Sequence, residues 1–120
     1  MDIGKLGEEM ARKFLEKRGF KLIERNFKTP RWGEIDLVMK DGDTLVFVEV
    51  KTRSGSAAVL YGGPLGSINY HKMKSIQRAA QFFVSSKKLD QEAARLDAVS
   101  IIVPDTGEPK IEHFPNISKL

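Results

Sequence analysis

The residues best placed for chemistry are Glu49 and Lys51, at the end of the strongest strand pattern in the chain, Leu45-Val46-Phe47-Val48-Glu49-Val50-Lys51. As a strand, this run puts Val46, Val48 and Val50 on one face and Leu45, Phe47, Glu49 and Lys51 on the other. Glu49 and Lys51 then project together, their Cα atoms about 6.8 Å apart. A carboxylate and an ammonium on an otherwise apolar strand are costly to desolvate unless they are paired or put to use. Glu34 to Lys40 reads as the preceding strand, and Asp41-Gly42-Asp43 between the two is a hairpin signal. With Asp41-Gly42 as a two-residue turn, Asp36 faces Phe47 and lies diagonal to Glu49. With a four-residue loop it faces Glu49 directly, and a three-residue loop sends it to the opposite side of the sheet.

Two carboxylates side by side repel each other, and a divalent cation is a common resolution. Mg²⁺ accepts a few carboxylate oxygens, keeps several waters and leaves room for a substrate phosphate. Lys51 beside such a site could orient or deprotonate a water and offset phosphodiester charge. Glu8 could supply a third carboxylate from the edge of the first helix. The competing reading is purely structural: a cross-strand ion pair of Asp36 or Glu49 with Lys51 on a half-exposed sheet.

Positioning these groups falls to a short series of elements. Ile3, Leu6, Gly7, Met10, Ala11, Phe14 and Leu15 share one face of a helix from Ile3 to Arg18, which Gly19 ends. Phe20 to Phe27 reads as a strand broken by Thr29-Pro30, and the two hairpin strands follow, Glu34 to Lys40 and Thr44 to Lys51. The stretch from Thr52 to Ser67 contains four glycines and Pro64 and reads as a functional or mobile loop. Asn69 can cap a second helix to about Ser85, with Met73, Ile76, Ala80 and Phe83 inward. Asp90 to Ala94 reads as one further helical turn, Leu96 to Val103 as a strand, and Lys110 to Phe114 as a short edge strand after Pro104-Asp105-Thr106-Gly107. The order α-β-β-β-α-β plus a terminal edge strand implies an α/β fold, a mixed sheet with helices packed on it.

At 120 residues and 13.5 kDa, the chain is one domain's worth, residues 1–120. Its 41% hydrophobic and 30% charged residues argue against disorder. No run approaches the roughly 20 apolar residues of a membrane span, so no membrane partner is expected. Early acids and the lack of an apolar block at the N-terminus speak against a signal peptide, and cysteine is absent, which excludes disulfides and a thiolate nucleophile. A cytoplasmic location fits both. His71 and His113 lack zinc spacing and read as surface residues, while Arg95 and Asp97 read as a structural ion pair.

The net charge of +4 is more informative once resolved along the chain. No acidic residue lies between Glu49 and Asp90, a stretch that holds Lys51, Arg53, Lys72, Lys74, Arg78, Lys87 and Lys88. The remaining thirteen basic and sixteen acidic residues leave the rest of the chain at −3. A block of one sign is the footprint of a phosphate-binding surface, although a solvated helix face looks similar. Arg53, Lys72, Lys74 and Arg78 are the candidates for backbone phosphate contacts, with the Tyr61-Gly62-Gly63-Pro64 segment nearby in sequence. Trp32 and Tyr61 could stack on unpaired bases, and Trp32 reads equally as a core anchor.

Gly33-Glu34-Ile35-Asp36-Leu37-Val38, Val46-Phe47-Val48-Glu49-Val50-Lys51-Thr52-Arg53 and Tyr61-Gly62 resemble the YraN-like family of small bacterial proteins, which has a restriction-endonuclease-like fold. Gly7-Glu8-x-x-Ala11, Gly19-Phe20, Arg25-Asn26 and Arg95-x-Asp97 are similar to that family too, so the resemblance spans nearly the whole chain. Its PD-(D/E)xK signature maps onto Asp36 and Glu49-Val50-Lys51, with Ile35 where proline would stand. Glu8 matches the helical acid of the Holliday-junction-resolvase branch. The resemblance implies Mg²⁺ (or Mn²⁺) held by Asp36, Glu49 and the Val50 carbonyl, with Lys51 assisting an attacking water. It implies a nuclease acting on DNA, with branched or repair intermediates as the expected substrates, and by analogy with junction cutters a homodimer. A non-cleaving nucleic-acid-binding or scaffolding domain that keeps the fold is the alternative.

Overall fold

The computed structural model describes residues 2–55, 66, 68–89 and 92–119. Helix α1 (Ile3–Lys17) is followed by strands β1 (Lys21–Lys28), β2 (Glu34–Asp41) and β3 (Thr44–Ser54). Helix α2 (Tyr70–Ser86) and strands β4 (Ala93–Val103) and β5 (Lys110–Lys119) complete the order. The strands form one sheet in the order β1-β2-β3-β4-β5, with β3 and β4 parallel and the other neighbours antiparallel. Connecting the parallel pair requires a crossover, and α2 lies in it. This mixed α/β arrangement is compatible with a restriction-endonuclease-like core.

The two helices cover opposite faces. Ala11 and Leu15 of α1 pack with Leu37, Met39, Val46, Val48, Val99 and Ile101. Ile76, Ala79, Ala80 and Phe83 of α2 pack with Val38, Leu45, Phe47 and Leu96. Asp2 caps α1, accepting from the Gly4 N–H at 2.9 Å, and Asn69 caps α2, accepting from the Lys72 N–H at 2.9 Å. Both caps satisfy N–H groups that the first helical turn leaves without partners.

Several local expectations change. The buried stripe of α1 is narrower than its periodicity suggests: Gly7, Ala11 and Leu15 are buried, whereas Ile3 and Leu6 are exposed. The extra helical turn is overturned, because Ala93 and Ala94 already belong to β4 and pair with Thr44 and Leu45 of β3; Asp90 and Gln91 lie outside the described residues. Strand β5 runs past Pro115, which an edge strand tolerates. It does so by bulging: the β4–β5 register shifts between Leu96 and Ala98, Asn116 takes φ 55°, and its N–H donates to Asp97 Oδ1 at 2.9 Å. His113 is consequently buried, with Nε2 2.7 Å from Asp97 and its ring edge-on to Phe20. The Arg95–Asp97 pair is present at 2.9 Å within this same cluster.

Gly7 sets how closely α1 approaches the sheet. A Cβ there would overlap Thr52 Oγ1 and stand 2.8 Å from Thr52 Cβ. In an open helix position Gly→Ala stabilises by roughly 0.5–1 kcal/mol. Here we expect Gly7→Ala to lower the urea unfolding midpoint, with a loss of roughly 1–3 kcal/mol from overpacking. Thr52→Ala added to Gly7→Ala should recover part of it, because two of the three clashing atoms then vanish.

Candidate active site at a strand fork

The β2–β3 hairpin turns on Gly42-Asp43, closed by Asp41 opposite Thr44, so the loop is even-numbered. Gly42 takes φ 61°, a conformation glycine adopts without strain. The resulting register pairs Leu37 with Val48, the last pair before the strands part. One step further, Asp36 stands across from Glu49, as the four-residue-loop register requires. Beyond this point β2 stays paired with β1 as far as Glu34, while β3 stays paired with β4 as far as Ser54. The two central strands thus open into a fork.

Asp36 sits in the fork and spans it. Its Oδ2 accepts the Val50 N–H at 2.8 Å, replacing a ladder bond that β2 no longer supplies. In an antiparallel pairing the N–H and C=O of one residue point to the same edge, so the Val50 carbonyl also faces the opening. Side-chain alternation breaks here too. Ile35 packs with the α2 cluster, whereas Leu37 and Met39 pack with the α1 cluster. On β1, Asn26 falls opposite Asp36, between the pairs Arg25–Leu37 and Phe27–Ile35, with φ 52°. Asparagine tolerates that left-handed conformation better than most residues. Its Nδ2 donates to Glu8 Oε1 at 2.9 Å, holding the α1 carboxylate at the same end of the sheet.

Glu49 is buried, and two lysines share its carboxylate: Lys72 Nζ at 3.4 Å and Lys51 Nζ at 3.7 Å from Oε1. The ion pair of the structural reading is therefore real, yet it leaves Asp36 uncompensated. Among the described residues no cation lies within ion-pair distance of Asp36. Burial pushes the Asp36 carboxyl up to about 7, and the charge of Glu49 adds to the shift against the Val50 N–H and Lys72; Glu8 pushes in the same direction. Burial also raises Glu49, with Lys72 and Lys51 pulling it down.

The structure brings Asp36, Glu49, Val50 and Lys51 together and places Glu8 close enough to act on Asp36. Lys72, expected as a phosphate contact, also lies against Glu49 from the first turn of α2. Lys74 and Arg78 are exposed further along that helix, Lys74 with Nζ 5.5 Å from the Tyr70 ring. Arg53 continues the Glu49–Lys51 side of β3. Tyr61 lies outside the described residues. Asn26 was not singled out by composition or spacing; an asparagine within a strand pattern was the available signal.

The donor set suits a hard cation of few protein ligands. Among the described residues no three His, Asp or Glu side chains converge as a ready-made metal cage. Two carboxylates that repel each other, with a main-chain carbonyl aimed between them, fit an ion that keeps most of its waters, as Mg²⁺ does.

The family model described as "Uncharacterised protein family UPF0102" matches residues 7–101. A UPF0102 protein of Geotalea daltonii is 42% identical over 112 residues, covering 93% of this chain and 85% of its own. One from Dictyoglomus turgidum is 41% identical over 116 residues, covering 96% and 95%. One from Clostridium kluyveri is 45% identical over 101 residues, covering 84% and 80%. The matched span contains every carboxylate and lysine of the fork, and the chain belongs to the UPF0102 family, the YraN-like group.

Proposed function

We propose that the chain is a metal-dependent nuclease that hydrolyses phosphodiester bonds in DNA, with branched or repair intermediates as its natural substrates. The observation that carries this reading is the pair of desolvated carboxylates, Asp36 and Glu49, facing each other across the fork with two lysines beside them. Such a pair is unfavourable in a merely structural sheet, where a buried carboxylate needs a counter-charge. It becomes favourable when a divalent cation enters.

Asp36, Glu49 and the Val50 carbonyl would hold Mg²⁺ or Mn²⁺. Bound there, the ion would polarise a phosphoryl oxygen and ease deprotonation of a water. The protein does the rest. The Val50 N–H fixes the Asp36 carboxylate at 2.8 Å, so one oxygen is committed to the backbone and the other is left for the ion. Lys51, at the end of the same strand face, orients the water and offsets charge that grows on the phosphate. Lys72 does the latter from α2 and offsets part of the upward push that burial gives the Glu49 carboxyl. Glu8, steadied by Asn26, adds negative potential on the α1 side.

Cleavage of supercoiled, single-stranded and four-way-junction DNA with Mg²⁺ or Mn²⁺ tests this reading. Asp36→Asn and Lys51→Ala should each reduce the rate by about 10²–10⁴-fold, the usual range for losing a positioned catalytic group. Asparagine is the better replacement at 36, since its carbonyl can still accept from Val50. Activity that survives Asp36→Asn contradicts the assignment. Tight DNA binding with no metal-dependent cutting supports the scaffolding alternative.

The site also predicts a pH-dependent stability. Asp36 has a carboxyl at about 7 when folded and 3.8 when unfolded, so between these values the native state holds a proton the unfolded chain has released. The Asp36 contribution to stability in EDTA should therefore be fully present below about pH 4 and be lost as pH rises through about 7. One pKa unit corresponds to about 1.4 kcal/mol, so a fall of roughly 1–3 kcal/mol is expected after allowing for partial exposure. In Asp36→Asn this component should disappear. Mn²⁺ should raise the melting temperature of the wild type at pH 8 and leave Asp36→Asn nearly unchanged.

A further inference from the structure

An open groove of about 560 Å³ runs between α2 and the loop that precedes β2. Trp32, Phe82, Lys74, Arg78, Gln81 and Ser85 are among the residues that line it, and among the described residues no carboxylate does so. Lys74, Arg78, Gln81 and Ser85 are exposed and recur four, three and four residues apart, so they form one stripe along the outer face of the helix. The indole is braced rather than loose. Its ring centroid lies 6.5 Å from that of Phe82, the main-chain N–H of Trp32 donates to Thr29 Oγ1 at 3.0 Å, and the main-chain N–H of Thr29 donates to the Gly33 carbonyl at 2.9 Å. An aromatic held in this way offers a stacking surface with little ordering cost.

Both walls of the groove lead along the chain toward the fork. Trp32 precedes Asp36 by four residues, and Arg78 follows Lys72 by six, about 9 Å along the helix at 1.5 Å per residue. Its charge complements a nucleic-acid backbone, because α2 carries Lys72, Lys74 and Arg78 and no acidic residue. Duplex DNA hides its base faces in the stack, whereas an unpaired strand exposes them to an aromatic platform.

We propose that this groove binds an unpaired nucleotide of a DNA strand, its base stacked on Trp32 and its flanking phosphates on Lys74 and Arg78. The substrate class is then DNA with a single-stranded segment, and the groove feeds that segment toward the carboxylates. Its link to cutting rests on the nuclease reading; binding itself does not. Stacking tolerates any base, so the site confers preference for strand structure rather than for sequence.

Trp32 is the sole tryptophan of the chain, so its fluorescence reports on the groove alone. With EDTA present, oligothymidine should quench that fluorescence, while an abasic oligonucleotide of equal length should not and a blunt duplex should do so far less. By anisotropy, Trp32→Ala should weaken oligothymidine binding about 5- to 150-fold, the usual effect of losing one stacking aromatic, and leave duplex affinity within about twofold. Lys74→Ala with Arg78→Ala, both at exposed positions, should weaken oligothymidine binding and flatten its salt dependence. If Trp32→Ala does not fold, the wild-type quenching comparison and the lysine–arginine variant decide the matter. Equal quenching by abasic and thymidine strands, or none by either, overturns the proposal. Single-strand binding through Trp32 without metal-dependent cleavage overturns the nuclease reading and leaves the groove standing. Asp36-dependent cleavage with unquenched Trp32 does the reverse.

Discussion

The site depends on one hydrogen bond, from the Val50 N–H to Asp36 Oδ2. It forms where β2 and β3 cease to pair, and it does two things at once. It satisfies a main-chain donor that the parting strands would otherwise leave unpaired at a cost of about 1–3 kcal/mol. It also fixes a carboxylate in a partly buried gap opposite a second carboxylate. A ladder that continued past Leu37 and Val48 would close the gap, and a wider separation of the strands would leave Asp36 in water with an ordinary proton affinity. The paired irregularity at Asn26 and Asp36 holds the geometry between these extremes. The β1–β2 register runs through this point without a shift, so it is the local backbone twist at Asn26 that re-aims the side chains, and the re-aimed group is the one with the strongest electrostatic conflict.

That conflict organises the surroundings. Glu49 draws Lys51 from its own strand and Lys72 from α2, tying the second helix to the end of β3. Glu8 is held by Asn26 on the α1 side, and Gly7 lets that helix approach Thr52 closely enough to place it. Each helix therefore contributes both a packed apolar face and one polar group at the fork. The buried core on either face makes this end of the sheet rigid, which a site built from opposed charges requires.

The parts of this arrangement that follow a local period were readable from the chain. Strand alternation put Glu49 and Lys51 on one face, and the Asp-Gly signal brought Asp36 to it, although the turn itself is Gly42-Asp43 rather than Asp41-Gly42. The Asn69 cap was equally local. What escaped was set by long-range contacts. The fork and the left-handed Asn26 depend on where two neighbouring ladders end, which no single segment specifies. Lys72 meets Glu49 because of how α2 docks, so its basic character alone did not reveal the contact with a carboxylate. His113 read as a surface residue because it lacks the spacing of a zinc ligand, whereas the bulge at Asn116 carries β5 onward and encloses the imidazole with Asp97. The UPF0102 match over residues 7–101 covers the fork, Asn26 and Lys72 alike.

Whether the two carboxylates of the fork hold a divalent cation decides if the fork is a metal centre. Anomalous diffraction from crystals soaked in Mn²⁺ addresses that without any assumption about substrate. The predicted result is a peak within coordination distance of Asp36, Glu49 and the Val50 carbonyl, absent from Asp36→Asn crystals treated alike. A fork without a peak at Mn²⁺ concentrations that saturate binding in solution, or a peak held by other residues, would contradict it.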